Sequence, residues 1–200
     1  MKGLLLKDCY LTWKYAKMLL LIPAAFLILS AFQPGNAFYM LYPSIMVAVV
    51  PVTLYSYDDR EKWTVYAQAL PVSRAQYVTE KYLFGALVLA VYLAVMTSLY
   101  LLVNKDGLST ALMLSPTFGL LGSAVMLPIM LRFGAEKGRI VYLVFLGALC
   151  GATTFLTLSK GVDTFSDAFP APKWAPCLIA LALYILSWRL SIVLYNKREL

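Results

Sequence analysis

The side chains best equipped for chemistry gather in one polar stretch, 57–81. There Asp58, Asp59, Arg60, Glu61, Lys62, Arg74, Glu80 and Lys81 surround Trp63, Tyr66 and Leu70. Their spacing favours a docking helix over a catalytic centre. Trp63, Tyr66, Ala67 and Leu70 recur at i, i+3, i+4 and i+7, the period of one helix face, with charges on the other face. Asp58 and Asp59 suit the positive end of a helix dipole, and Pro71 forces the residue before it out of helical geometry. The spacing therefore predicts a short amphipathic helix that ends at Leu70. Ser73 is placed to cap a second helix that begins at Arg74 and runs through Tyr77 and Lys81.

Catalytic readings find little else to work with. The chain has no histidine, which removes the commonest general base and metal ligand. Serine-type or aspartyl proteolysis within a membrane would need a Ser/His pair or two acids in apolar segments, and neither pattern occurs. Cys9, Cys150 and Cys177 have no metal-ligand or disulfide spacing. No glycine loop of the Walker A type could hold ATP, and no filter-like loop suggests a channel. The expectation is a chain that is not an enzyme and carries no cofactor or metal of its own.

The elements that must position the polar stretch follow from composition. Of 200 residues, 62% are apolar and 14% charged, against about 45–50% and about 25% in soluble domains. At about 20 residues per crossing, that apolar content suffices for about six spans and leaves no room for a second, soluble domain. Apolar runs at 18–32, 37–56, 82–103, 108–131, 140–159 and 174–194 supply them. The expected fold is all-α: a single polytopic membrane domain, 1–200, with a tight outer turn at 33–36 and a short outer loop at 160–173. Phe165 and Phe169 in that loop suit either an outer gate or a membrane-surface contact. Ionisable groups are nearly absent from these spans. Arg189 is the exception, close enough to its helix end to reach the headgroups beside Trp188.

Charge placement sets the orientation. Fourteen of the 17 lysines and arginines fall on one side of this plan, and only Lys105, Lys160 and Lys173 on the other. The positive-inside rule puts both termini, 57–81 and 132–139 in the cytoplasm. The net charge of +7 thus reads as topology, and no nucleic-acid partner is expected. Seven of the ten acids lie inside too, so the inner loops are zwitterionic and suit protein docking better than lipid docking. Ahead of the first span, Leu5, Cys9, Trp13 and Ala16 share one helix face opposite Lys7 and Lys14. That pattern fits an interfacial helix, or a helix continuing the first span inward. The basic start, the apolar stretch 18–32 and the small residues Gly35-Asn36-Ala37 also resemble a cleavable secretory signal, but the 17 residues before the apolar run are long for one.

These residues resemble a known family, the permease subunits of type 2 ATP-binding cassette exporters in their short six-helix bacterial form. The resemblance rests on three segments: 59–63 followed by Leu70-Pro71-Val72-Ser73-Arg74 and Lys81; the glycine-bearing inner turn 132–139; and the opening Met1 to Asp8. It implies a plasma-membrane protein paired with a second permease chain and driven by ATPase subunits that hold ATP and Mg. Asp59, Arg60, Glu61, Trp63, Tyr66 and Leu70 would form the coupling helix seated in an ATPase groove, with Trp63 and Tyr66 as anchors. Those two aromatics would equally suit a headgroup belt, and Arg60 and Glu61 a solvated surface. Arg132, Glu136, Lys137 and Arg139 would set topology or touch the partner. Short permeases of this kind that export cytolytic or antimicrobial peptides are the nearest resemblance, and an apolar interior would suit amphipathic peptides or hydrophobic small molecules. The alternative is a membrane immunity or regulatory protein that keeps the permease fold without transporting.

Overall fold

The computed structural model describes residues 2–32, 38–63, 66, 73–103, 110–159 and 174–196. Among them there is no strand. Helix α1 (Lys2–Leu11) passes through a five-residue π-helical turn, Thr12–Ala16, into α2 (Lys17–Phe32). Then follow α3 (Phe38–Arg60), α4 (Arg74–Val103), α5 (Thr110–Ser159) and α6 (Ala175–Asn196). The outer turn at 33–36, Leu70, and the loop 160–173 with Phe165 and Phe169 lie outside the described residues.

Among the described residues four helices are long and apolar enough to cross a membrane: Tyr39–Arg60, Arg74–Leu102, Leu112–Gly134 and Ala175–Asn196. The 16-residue α2 and the second limb of α5 are the other two apolar stretches expected as spans. α5 bends at Gly134, whose φ of 81° and ψ of 174° belong to a region that only glycine occupies cheaply. The bend falls within 132–139, where an inner turn was expected.

α3 is the hub. In its apolar window 78% of residues are buried, against 22% in α4 and in α6, so α4 and α6 present most of their surface outward. Its closest partner is the first limb of α5. Ser115, Gly119 and Ser123, four residues apart and all buried, allow that approach. A Cβ on Gly119 would stand 3.2 Å from the Ser44 carbonyl oxygen and 2.6 Å from a Leu89 methyl. Around this seam pack Met40, Val47, Tyr55, Leu89, Met96 and Leu127. Several hydroxyls within the apolar helices are satisfied locally, as where Thr53 donates to Val49 O at 3.0 Å and Ser56 to Val52 O at 3.2 Å, whereas the buried Thr117 hydroxyl has no hydrogen-bond partner among the described residues.

Polar ties hold α6 to its neighbours. The Tyr82 hydroxyl lies 2.7 Å from both Ser187 Oγ and Ser191 Oγ, and Tyr184 donates to Tyr82 O at 2.7 Å. Ser187 donates to Ala124 O, and Trp188 Nε1 donates to Thr79 Oγ1 at 3.1 Å. In a medium without water such bonds have few competitors, so they fix register between helices. Arg189 is exposed, with its guanidinium carbon 5.0 Å from the Trp188 ring, as its position suggested.

A buried charge cluster behind the polar segment

The start of α4 forms as its residues dictate. Gln76 N donates to Ser73 Oγ at 3.2 Å and Ser73 N to Gln76 Oε1 at 3.0 Å, a reciprocal capping box that opens the helix at Arg74.

The preceding helix differs from expectation. Asp58 and Asp59 do not open a short helix; they sit in the last turn of α3, which continues to Arg60. The break comes at Glu61 and Lys62, where Lys62 takes φ 53°, and Tyr66 N then donates to Lys62 O at 3.4 Å as helical geometry resumes. The carbonyl end of a helix repels carboxylates, so Asp58 needs cations.

It finds two. Lys7 Nζ donates to both Asp58 oxygens, at 2.8 and 2.9 Å, and Lys81 Nζ stands 2.7 Å from Asp58 Oδ2. Tyr77 donates to the same oxygen at 3.0 Å. Lys81 also donates to Asp8 Oδ2 at 2.6 Å, and Glu80 Oε2 lies 3.7 Å from the same ammonium. Asp8, Glu80 and Lys81 are at most 1% exposed and Asp58 3%. One ammonium thus bridges α1, α3 and α4. Removing it would leave carboxylates in a dry site, the costly side of any buried ion pair.

The spans expected at 37–56 and 82–103 hold no charged residue, but the helices that contain them are longer. Helical structure and burial extend past 56 and begin before 82, and so enclose Asp58, Glu80 and Lys81. The N-terminal segment supplies the rest. Its inner face is Leu4, Asp8 and Thr12, while Cys9 and Trp13 of the expected apolar face are exposed and Leu5 is half-buried. Thr12 donates to Asp8 O at 2.7 Å at the start of the π turn.

The expected site residues separate around this cluster. Trp63 packs inward against the core, with Lys7 Nζ 4.6 Å above its ring. Tyr66 is exposed, as are Arg60 and Glu61, and Asp59 is half-buried. The Tyr15 and Tyr57 rings stack 5.2 Å apart, a second grip of the N-terminal segment on the end of α3. Arg132 is exposed against Phe133, and its guanidinium carbon lies 5.3 Å from that ring. Glu136, Lys137 and Arg139 lie on the helical backbone after the bend, their side chains outside the described set. On the α6 side, Arg74 donates to Asn196 O at 3.3 Å, so α1, the end of α3, the start of α4 and the end of α6 meet at one end of the bundle.

A separate apolar cavity of about 1010 Å³ lies between the N-terminal helices and α4, with Leu6, Trp13, Pro23, Phe84 and Val91 in its wall. Among the described residues no cluster of acids, histidines or cysteines could hold a metal, and Cys9 and Cys177 are free thiols.

Compared with known proteins, residues 3–196 match a family model described as "ABC-2 family transporter protein". No curated protein and no solved structure matches the chain.

Proposed function

The chain belongs to the ABC-2 family of transporter proteins, and on that premise we propose that it is the permease subunit of an exporter for amphipathic peptides or hydrophobic small molecules. The match over residues 3–196 carries the permease assignment, and it favours transport over an immunity or regulatory role. ATP and Mg belong to a separate ATPase partner, and two permease chains, identical or not, complete the transporter. The chain itself catalyses nothing.

Six crossings with both termini in the cytoplasm fit the 14-to-3 distribution of basic residues and the shared end at which α1, α3, α4 and α6 meet. The 16 residues of α2 span about 24 Å at 1.5 Å per residue, short of a hydrocarbon core of about 30 Å. Helical residues from the π turn extend its reach.

The segment 59–70, from the last turn of α3 across the break at Glu61 and Lys62, is the part that couples to the ATPase. Tyr66, with Glu61 and Arg60, faces the ATPase. Trp63 is the inward half: it rests on Lys7 and the core, so a push on the segment reaches α1, α3 and α4 together through Lys7, Asp58 and Lys81. Arg132, Glu136, Lys137 and Arg139 border the same side as topology determinants. The apolar wall of the cavity beside α4 suits a substrate with few polar groups.

Purification of the tagged chain from its native membrane in lipid nanodiscs tests the reading. Mass spectrometry is expected to find a co-purifying subunit with a Walker A motif. A chain that purifies without any such subunit contradicts the reading and favours the non-transporting alternative.

A further inference from the structure

Counting charges in the buried cluster leaves a remainder. Lys7 and Lys81 contribute two positive charges against three carboxyl groups, Asp8, Asp58 and Glu80. Asp58 is fully served, by Lys7, Lys81 and Tyr77. Asp8 Oδ2 is served by Lys81, but Asp8 Oδ1 is buried without a hydrogen bond, its closest cation being Lys7 at 3.4 Å. Both oxygens of Glu80 are buried without any hydrogen-bond partner. Glu80 Oε2 and Asp8 Oδ2 both stand against the Lys81 ammonium, at 3.7 and 2.6 Å. Two carboxyl groups on one ammonium, with three of their oxygens buried and unfilled in a site 0–1% exposed, lack a donor.

We propose that the carboxyl groups of Asp8 and Glu80 hold one proton between them, and that the charge-balanced cluster docking α1 onto α4 exists in this proton-bound form. The proton comes from water and returns to it, and no bond between heavy atoms changes. With it bound, the cluster carries two cations and two carboxylates, and the unfilled Asp8 oxygen gains a donor. Without it, a net negative charge remains in a dry site, and the least costly relief is for α1 to lift and admit water. Facing the pair are Lys7 from α1, Asp58 from α3, Trp63 from the segment after it, and Tyr77 and Lys81 from α4, with Tyr195 of α6 ringed against Tyr77 at 5.8 Å. None of these supplies a further donor to Glu80 among the described residues. Lys7, with a side chain 20% exposed in the wall of the apolar cavity, is the most accessible member of the cluster. The inference rests on this geometry alone and holds whether or not the chain transports.

Infrared difference spectroscopy on the full chain in nanodiscs reads the proton directly. At neutral pH the wild type is expected to show a protonated-carboxyl C=O band that disappears on alkaline titration and is lost in Glu80→Gln; Glu80→Met replaces that variant if it does not fold. Absence of the band from the neutral wild type, or its persistence at full intensity in the Glu80 variant, overturns the proposal. A second readout follows α1. In a Thr12→Cys variant, labelling of the buried thiol relative to the exposed native Cys9 is expected to rise with pH and to stay flat once Glu80→Gln is added. An equal pH dependence with and without Glu80→Gln overturns the docking half of the proposal.

Discussion

Lys81 places one ammonium against Asp8 and Asp58 from two other helices, at 2.6 and 2.7 Å. Replacing it by methionine keeps most of the volume and strands Asp8, while Asp58 keeps Lys7 and Tyr77, so Lys81→Met should cost about 3–5 kcal/mol, read as a lowered unfolding midpoint in nanodiscs. An unchanged midpoint would mean that the cluster is wet and its pairs are worth little. Arg189→Ala serves as the contrast, because its guanidinium is exposed and rests on the Trp188 face; it should stay within about 0.5 kcal/mol of wild type. At this scale the residues were partly legible. Lys81 stood out as the end of the segment 70–81, and Trp63 and Tyr66 as aromatic anchors. Their division into an inward and an outward partner was not legible, because it depends on Lys7, which lies 51 positions from its hydrogen-bond partner Asp58. Glu80 is one of the charges of 57–81 and Asp8 belongs to the opening segment, but nothing local shows that either is buried, since an acid near a helix start reads as solvated until a distant cation encloses it.

Capping and bending decide the elements. Ser73→Ala removes one half of the capping box and should cost about 1 kcal/mol, with the loss seen as faster amide exchange in the first turn of α4. Gly134→Ala meets a backbone setting that an L side chain avoids, and a cost of about 1–3 kcal/mol in unfolding free energy is expected. A midpoint equal to wild type would show that the bend relaxes freely. Hydrophobic runs placed the helices to within a few residues because apolar length is a local property. Helix ends were less legible where polar residues are buried: α3 continues to Arg60 because Lys7 and Lys81 neutralise acids that would otherwise end it or face water. The seam of Ser115, Gly119 and Ser123 was present in the sequence as small residues four apart. Nothing local distinguishes such a stripe from an ordinary apolar helix until its partner, α3, is known.

Across the whole molecule, the polar ends of α1, α3, α4 and α6 share one side, and the proposed topology puts that side in the cytoplasm. Cys9, exposed on α1, tests the assignment with a native group. With Cys150→Ser and Cys177→Ser in the background, a membrane-impermeant maleimide should label Cys9 in inverted vesicles and leave it unlabelled in intact cells. The reverse pattern would turn the molecule over and remove the polar segment from any cytoplasmic motor. In the proposed function, Tyr66 and Glu61 receive the stroke of a partner ATPase and the cluster behind Trp63 passes it to the helices. The most direct test of this coupling is the ATP hydrolysis rate of the co-purified complex in nanodiscs, wild type against Tyr66→Ala and Glu61→Ala. Loss of one anchor contact worth about 1.4 kcal/mol predicts a rate lowered about tenfold for Tyr66→Ala, with a smaller fall for Glu61→Ala. Hydrolysis at the wild-type rate in both variants, with the ATPase still bound, would contradict the account.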